Sequence, residues 1–374
     1  MSDLPKKEQL FQLIRSNPFI SQQQMADQLG LSRSAVAGHV ASLIRERRLL
    51  GRAYVLPAAR AVLCIGAANL DRKLRTLGAL RMGTSNPASA EEAYGGVARN
   101  IAENLARLGS SCALLTALGD DAAGQALRAH AEGAGIDMTG SLKLPGCATG
   151  TYTAVLDGAG EMVVALADMA LYDYLTPAFL AGRQPQRSAA SLVVADLNLP
   201  EASVALLLGD AQRGGMQRDA ARLVIVAVSQ PKMARLPRDL RGLRLLILNR
   251  GELEARAGRP LPTEAHVREA CRTLQAEGAQ DIVVTCGAAG VYHTVPGDLR
   301  WLPAQEVPNV VDVTGAGDAF AAAVCWSLAE GDGDLTAACT RGLHAAALTV
   351  QSPHTVSPAL TPDLFSAALS PVQD

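Results

Sequence analysis

An aspartate that follows two glycines at the start of a predicted helix is the arrangement in this sequence best suited to chemistry. Asp318 follows Gly315 and Gly317, and the segment Ala319–Leu328 has its apolar residues at helical spacing. Backbone N–H groups at a helix N-terminus bind anions, and the helix dipole favours the negative charge. A carboxylate beside an anion is repulsive, but it has a use as a general base that takes a proton from a hydroxyl during phosphoryl transfer. The alternative is an ordinary glycine-rich turn followed by an aspartate.

The elements that would position this aspartate are short apolar segments separated by helical lengths. These segments are Ala61–Ile65, Leu192–Ala195, Leu223–Val228, Leu245–Leu248 and Ile282–Thr285. Continuous apolar strands of this length are typical of a parallel sheet with helices on both faces. We therefore expect an α/β domain over residues 60–367.

Polar residues follow the first of these strands and the double glycine further on. Asn69 and Asp71 come soon after Ile65, where the end of a parallel strand is well placed to hold sugar hydroxyls. Gly95 and Gly96 open a predicted helix that carries Asn100 in its first turns, and glycine permits close approach of a ligand to the backbone. An ordinary turn is the alternative for each of these sites taken alone.

The first 57 residues form a separate, basic unit. Met1–Pro57 contains eight Lys and Arg and four Asp and Glu, which give it a net charge of +4. Because the whole chain has a net charge of −2, the remaining residues carry −6. Three predicted helices, with a capping box at Ser21–Gln24 and a hairpin at Leu49–Leu56, resemble a winged helix-turn-helix. The outward face of the third helix and the hairpin carry the residues predicted to bind DNA, which are Arg33, Ser34, Arg45 and Arg52. A protein-interaction module is the alternative.

Composition excludes several other classes. Hydrophobic residues are 49% and charged residues 19% of the 374, which favours a large core over disorder. The seven cysteines show no Cys-x-x-Cys pair and the six histidines no metal-ligand spacing, so we expect reduced thiols in the cytoplasm and no zinc site. No apolar segment is long enough for a signal peptide or a membrane span.

Four motifs in order resemble those of the ribokinase-like (phosphofructokinase-B) kinases, over roughly residues 60–360. They are Gly95–Gly96 with Asn100, then Asn249 with Glu252, then Thr285 with Gly287, then Thr314–Asp318. The resemblance implies a three-layer α/β/α sheet domain with a small β-lid, and phosphorylation of a sugar or nucleoside hydroxyl by ATP with Mg²⁺.

The resemblance also implies a role for each matching residue. Asp318 would be the base, and the amides of Gly315, Ala316 and Gly317 would stabilise the transferring phosphoryl group. Asn249, Glu252, Thr285, Gly287 and Thr314 would serve the nucleotide, with Glu252 holding Mg²⁺ through water. Asn69, Asp71, Gly95, Gly96 and Asn100 would bind the sugar. Asp312 lies where the family often holds a monovalent cation such as K⁺.

Within the family, the pattern is similar to that of pseudouridine kinases. Asn198 stands where sugar kinases have a glutamate near the sugar, which disfavours free ribose as the substrate. Thr151–Leu156 and Glu161–Leu166 flank a Gly-rich turn and predict a hairpin, which indicates a lid segment at about 149–168. The resemblance implies further lid strands at about 73–94. Asn86, Thr151 and Asp168 would offer hydrogen bonds to the nucleobase from this lid, or would only shape it. The family also implies a homodimer through the lid.

Two further functions stay open at this point. One is a kinase for another ribonucleoside, such as inosine or cytidine, or for a sugar. The other is a transcriptional regulator whose kinase fold only senses a nucleoside. The presence of Asp318 with its two glycines favours the enzyme, because a sensor has no need of a base at that position.

Overall fold

The structure is a computed structural model that describes residues 5–16, 20–49, 61–214, 222–331 and 334–365. The predicted hairpin Leu49–Leu56 lies outside the described residues except for Leu49, and so does the predicted DNA contact Arg52. The predicted domain boundary at residues 57–60 also lies outside them.

The N-terminal unit consists of α1 (Lys6–Ser16), α2 (Gln22–Leu29) and α3 (Arg33–Arg45). The predicted capping box at the start of α2 is present, and Gly30 ends this helix in the left-handed conformation at φ 63°. One apolar face of each helix is buried in a common core, whose fully buried members are Leu10, Ile14, Met25, Val36 and Leu43. This packing leaves Arg33, Ser34 and Arg45 exposed along α3.

Beyond the N-terminal unit the described chain alternates strands and helices, as predicted. The strands are β1 (Val62–Ile65), β2 (Asn69–Thr76), β3 (Ala88–Gly95), β4 (Cys112–Leu115), β5 (Ala117–Gly119), β6 (Ile136–Asp137), β7 (Leu142–Leu144), β8 (Thr151–Leu156), β9 (Met162–Asp168), β10 (Leu192–Asp196), β11 (Arg222–Val226), β12 (Leu243–Asn249), β13 (Asp281–Thr285), β14 (Gly290–Val295) and β15 (Asp298–Pro303). The helices are α4 (Val97–Arg107), α5 (Ala122–Gly133), α6 (Pro177–Ala181), α7 (Gln184–Ala189), α8 (Glu201–Gly214), α9 (Arg250–Ala257), α10 (Glu264–Ala276), α11 (Ala316–Ala329) and α12 (Leu335–Val350).

The main sheet has the strand order β15-β14-β13-β12-β11-β10-β1-β4-β6. All neighbours from β13 to β6 in this order pair in parallel. At the other edge, β14 and β15 pair antiparallel, which the apolar segments did not predict. Alternate strand residues face opposite sides. Val62 and Cys64 pack against α4, α11 and α12, while Leu63 and Ile65 belong to the core under α8, α9 and α10. The predicted three-layer α/β/α fold is therefore confirmed.

A second, four-stranded sheet of order β3-β2-β8-β9 forms the predicted lid. Strand β2 is central, antiparallel to β3 and parallel to β8, and β9 returns antiparallel at the edge. Asn69 and Asp71 belong to the first residues of β2 and not to a loop after β1, so the strand that forms the lid also carries predicted sugar ligands. Among the described residues, no helix is long and apolar enough to cross a membrane.

Candidate active site

Asp318 lies in the first turn of α11, and Gly315 caps this helix in the left-handed conformation at φ 82°. A Cβ at position 315 would overlap the carbonyl oxygen of Thr355, so the approach of these two segments requires glycine. The helix begins at Ala316, three residues earlier than the predicted Ala319. The N–H of Ala316 donates to the carbonyl of Val313 at 3.3 Å, and those of Gly317 and Asp318 precede the first bond within the helix and can face an anion.

Asn100 of α4 fixes the orientation of Asp318. Its Nδ2 donates to Asp318 Oδ2 at 2.7 Å, which joins the two predicted residues across 218 positions of sequence. The Asn100 Oδ1 in turn accepts a hydrogen bond of 2.8 Å from Arg99 Nη1, which also donates to the carbonyl of Tyr94 at 2.8 Å. Because the arginine can only donate, it forces the amide to present its NH₂ group to the aspartate.

Arg99 is itself held by a buried ion pair that the sequence analysis missed. The side chain is 3% exposed and its Nη2 donates to Glu103, which is 2% exposed and also accepts from Arg107 at 3.0 Å. The ring of His130 lies 3.3 Å from the same Nη2. A buried arginine with these partners is a rigid support for Asn100.

The electrostatic environment suits a base. Burial raises the pKa of Asp318 to about 7, against the hydrogen bond from Asn100, which lowers it. Nearby Asp196 and Asp71 raise the pKa of Asp318 further. Burial likewise raises the pKa of Asp71 to about 6, although Asn69 Nδ2 donates to its Oδ1 at 2.6 Å. A carboxylate with a pKa near neutrality is better matched to proton transfer at physiological pH than an ordinary aspartate.

The double glycine allows close approach between segments of the protein itself. A Cβ on Gly95 would overlap the Asp71 carboxylate, and one on Gly96, at φ 98°, would overlap the carbonyl of Ala67. Gly96 is also the N-cap residue of α4 and has no side chain to cap it. The first turn of α4 thus lies directly against the turn between β1 and β2.

Asp196, at the end of β10, ties these elements together. It is 1% exposed and accepts hydrogen bonds from the backbone N–H groups of Ala67, Ala98 and Asn198 at 2.9, 3.1 and 2.8 Å. Asn198 is 4% exposed, and its backbone N–H places it in the same cluster as the double glycine. Its contact with the substrate stays a prediction. No sequence signal distinguished the neighbouring Asp196, because an aspartate after a strand is common in turns.

On the other side of the α11 N-terminus is a largely apolar cavity of about 710 Å³, which we call the nucleotide cavity. Five predicted residues contribute to its lining, which are Asn249, Thr285, Gly287, Ala316 and Gly317. Its apolar walls were not predicted, and they include Val307, Val310, Val313, Phe320, Leu343 and Val350. The exposed fractions of Val310 and Val313 are 55% and 69%, so this apolar segment lines a cavity and is not a buried strand. The volume and apolar lining suit a flat, uncharged ring system.

The Asn249–Glu252 pair forms a reciprocal capping box at the start of α9. Asn249 Oδ1 accepts from the Glu252 N–H at 2.9 Å, and Glu252 Oε2 accepts from the Asn249 N–H at 2.7 Å. Glu252 is 3% exposed, burial raises its pKa, and only Asn249 of the two lines the nucleotide cavity. This geometry fits contact with Mg²⁺ through water and disfavours direct ligation by Glu252. Within the described residues, no group of three His, Cys, Asp or Glu could hold a metal ion by itself.

Asp312, the residue predicted to hold a monovalent cation, is hydrogen-bonded to other side chains of the protein. Its Oδ1 accepts from the Thr314 N–H and hydroxyl at 2.9 and 2.7 Å, and its Oδ2 accepts from the ammonium of Lys73 on β2. Next to Asp312 is a cavity of about 420 Å³, which we call the lid cleft. Its lining includes Lys73, Asp312, Thr314, Asp71 and Arg99. The site for a monovalent cation at Asp312 stays a prediction, and the positive group that contacts this carboxylate in the described residues is the ammonium of Lys73. Thr314, predicted to serve the nucleotide, lines the lid cleft instead.

The structure pairs two of the three predicted nucleobase contacts and places the third, Asn86, in a separate loop. Both polar atoms of the Asn86 side chain are engaged within its own loop, where Oδ1 accepts from the Arg81 N–H and Nδ2 donates to the Arg81 and Thr84 carbonyls. Thr151 and Asp168 are cross-strand partners at one end of the β8–β9 hairpin. The lid-cleft residues Tyr94 and His130, with rings 4.5 Å apart, were not predicted.

Comparison with known proteins agrees with this geometry. Residues 59–362 match the model of the pfkB family carbohydrate kinases. The chain belongs to this family. Residues 5–47 match the winged helix-turn-helix DNA-binding model, which confirms the N-terminal unit. The protein is thus a sugar or nucleoside kinase that transfers a phosphoryl group to an alcohol, with an additional N-terminal domain.

Two relatives from Escherichia coli K12 are similar over most of their lengths. The uncharacterized sugar kinase YeiI is 30% identical over 328 residues, which are 87% of this chain and 88% of that protein. Pseudouridine kinase is 34% identical over 268 residues, which are 71% of this chain and 83% of that protein. Among solved structures, Arabidopsis thaliana ribokinase complexed with ribose and ATP superposes with a TM-score of 0.72 over 82% of this chain and 96% of its own. At 20% identity that likeness supports the fold alone.

Proposed function

We propose that this protein is an ATP-dependent nucleoside kinase that phosphorylates the 5′-hydroxyl of pseudouridine to give pseudouridine 5′-phosphate. The observation that carries the proposal is the hydrogen bond from Asn100 to Asp318, which places a base of raised pKa at the N-terminus of α11. The 34% identity to a pseudouridine kinase and the presence of Asn198 at the sugar position support the choice of acceptor.

In this proposal, different residues of the chain bind the acceptor and the nucleotide. Asn69, Asp71 and the Gly95–Gly96 backbone bind the sugar hydroxyls, and the 5′-hydroxyl donates its proton to Asp318 as its oxygen bonds to phosphorus. The bond between this phosphorus and the leaving ADP breaks in the same step. The first N–H groups of α11 stabilise the charge on the transferring phosphoryl group. ATP supplies the phosphoryl group. Asn249 and Glu252 would hold Mg²⁺ through water, and the ion would offset the negative charge of the phosphates.

A panel of acceptors tests the proposal. Pseudouridine, uridine, inosine, cytidine and ribose are each assayed with ATP and Mg²⁺ for kcat/KM, with the product located by ³¹P NMR. The proposal expects pseudouridine to exceed the next acceptor by about tenfold or more, the discrimination that one or two base-specific hydrogen bonds provide. A higher kcat/KM for another ribonucleoside would reject pseudouridine and retain a nucleoside kinase, which is the alternative that the same cavity allows.

The lid supports a homodimer. Val164 and Leu166 lie on one face of the edge strand β9, with exposed fractions of 45% and 62%, and Met162, beyond a bulge, is 61% exposed. An edge strand with an apolar face is a site for pairing with another chain. A second copy of this chain is the partner proposed, which would cover both lids at once.

The N-terminal domain supports binding to DNA. Helix α3 exposes Arg33, Ser34 and Arg45. Apart from the adjacent turns of α3 itself, no atom of the described residues lies within 4 Å of the position that a Cβ on Gly38 would take. Glycine inside a helix costs about 1 kcal/mol relative to alanine, and nothing within the described chain requires it at this position. Arginines around a surface of small side chains suit close approach to the major groove. We therefore propose a kinase with a DNA-binding arm, and not a regulator that has lost its activity.

A further inference from the structure

The second strand of the lid carries three polar residues on one face. Asn69, Asp71 and Lys73 are spaced by two in β2, so their side chains point to the same side. The first two belong to the proposed sugar site. The third, Lys73, reaches the loop that precedes the α11 N-terminus.

Lys73 contacts this loop at two atoms. Its Nζ donates to Asp312 Oδ2 and lies 3.3 Å from Thr314 Oγ1. The other carboxylate oxygen of Asp312 accepts from the Thr314 N–H and hydroxyl. The carboxylate therefore has no oxygen left without a partner, and the only positive charge that it contacts in the described residues is the ammonium.

The ion pair is partly shielded and stands close to the phosphoryl-transfer site. The side chains of Lys73 and Asp312 are 36% and 27% exposed. Although partial burial opposes ionisation, the ammonium and the Thr314 hydrogen bonds lower the pKa of Asp312, so the pair is charged at neutral pH. Thr314 is followed directly by Gly315, the N-cap of α11, so the order of this loop sets the direction of the N–H groups that face an anion.

Lys73 already supplies a positive charge at Asp312, the residue predicted to hold a monovalent cation. We propose that Lys73 is a built-in cation: its ammonium, supplied by the lid, orders the Asp312–Thr314 loop and makes phosphoryl transfer independent of added K⁺. Because Lys73 shares β2 with Asn69 and Asp71, the same strand that binds the acceptor completes the loop. Lys73 is a positioning residue in this account, since it acts through Asp312 and Thr314.

The inference rests on the kinase activity proposed above, and it is tested with the full-length chain carrying Lys73→Ala. Activity is compared in K⁺, in tetramethylammonium and in propylammonium at equal ionic strength. The wild type is expected to vary by less than about twofold among the three salts. Lys73→Ala is expected to lose about tenfold or more in kcat in tetramethylammonium, as for removal of one electrostatic group, and to recover part of it in K⁺ or propylammonium.

Two variants provide matched comparisons. Arg72→Ala removes the neighbouring positive charge of the lid, which pairs with Glu92, and should leave the salt response unchanged. Asp312→Asn should reproduce the loss seen in Lys73→Ala, and the double variant should be no worse than either, as expected for residues that act as a pair. A wild type that needs K⁺ as strongly as Lys73→Ala, or a Lys73→Ala with no loss and no salt response, would overturn the proposal.

A second readout needs no acceptor and separates this inference from the proposed function. The Tm of Lys73→Ala should rise when K⁺ or propylammonium replaces tetramethylammonium, whereas the Tm of the wild type should not. If no nucleoside is phosphorylated, the comparison of Tm values still tests whether Lys73 acts as a built-in cation. An equal rise in both proteins would contradict a built-in cation whatever the substrate.

Discussion

The carboxamide of Asn100 donates to the carboxylate of Asp318, with 2.7 Å between Nδ2 and Oδ2. This contact links the first turns of α4 and α11, which pack against each other over the same face of the main sheet. It holds the proposed base in one orientation before any substrate arrives. Preorganisation of this kind is a large contribution to catalysis in general.

The contact predicts a role for Arg99, whose Nη1 donates to Asn100 Oδ1 at 2.8 Å. Arg99→Met should lower kcat by about tenfold or more while KM changes by less than about threefold, because the Asn100 amide is free to turn away from Asp318. Steady-state kinetics measures both constants.

Loss of Arg99 also leaves Glu103 as a buried carboxylate with fewer partners, so stability needs its own control. Arg99→Met with Glu103→Gln should restore the Tm without restoring kcat. Arg107→Met removes the other arginine on Glu103 and should leave kcat within about twofold, since no hydrogen bond joins it to Asn100. Full activity in Arg99→Met would reject the positioning role.

The raised pKa values predict how activity depends on pH. Asp318 must be ionised to accept a proton, so kcat/KM should fall as the pH drops below about 7, and a second decrease from Asp71 should follow below about 6. A profile of kcat/KM from acid to mildly alkaline pH measures this. Asp71→Asn should remove the lower inflection and keep the upper one. A flat profile down to pH 5, within the protein's stable range, would contradict the assignment of Asp318.

The same pKa shift predicts an effect on stability. The folded pKa of Asp318 is raised above its value in the unfolded chain, so the folded state binds the proton more tightly and loses stability as the pH rises toward about 7. Asp318→Asn carries no charge and should raise the Tm at pH 8 by about 2 °C or more, with a smaller difference near pH 5. Thermal unfolding at the two pH values measures it, with Asp298→Asn on the exposed strand β15 as the control. A larger gain in Tm at pH 5 than at pH 8 would contradict a raised pKa for Asp318.

The proposed DNA-binding face predicts a salt-dependent loss of affinity. Arg33→Ala and Arg45→Ala should each weaken binding to the DNA upstream of the protein's own coding region and reduce the salt slope by about 1, if each contacts one phosphate. Gly38→Leu should abolish binding without unfolding α3, because a side chain there meets open space in the free protein. Fluorescence anisotropy over a salt series measures these effects. Wild-type affinity in Gly38→Leu would show that α3 does not approach the DNA closely.

The proposed dimer depends on the exposed apolar face of β9. Leu166→Asp should convert the dimer to a monomer in light scattering, because a charge would be buried between the two lids. Leu77→Asp is the matched control, since Leu77 is also in the lid region and 73% exposed but lies outside β9. A wild type that is monomeric at high concentration would reject this partner.

The sequence predicted the parts of the site that depend on the backbone. Gly96 and Gly315 adopt conformations that favour glycine, and the short apolar strands carry a pattern that only a buried parallel sheet explains. Such features are local, so spacing along the chain reveals them. The resemblance then supplied the order of the motifs.

The missed features depend on contacts between distant segments. Arg99, Glu103 and Arg107 are spaced by four, which on most helices indicates a solvent-exposed series of ion pairs, and only the fold buries the first two. Lys73 is 239 residues from Asp312, and no local pattern joins them.

The central claim is that Asp318 takes the proton from a nucleoside 5′-hydroxyl during phosphoryl transfer. The most direct measurement is turnover of pseudouridine with ATP and Mg²⁺ by the wild type and by Asp318→Asn, with binding of pseudouridine measured separately by calorimetry. The account predicts pseudouridine 5′-phosphate from the wild type, a loss in kcat of about a hundredfold or more in the variant, and a Kd within about threefold of the wild type. Undiminished turnover by Asp318→Asn would contradict it.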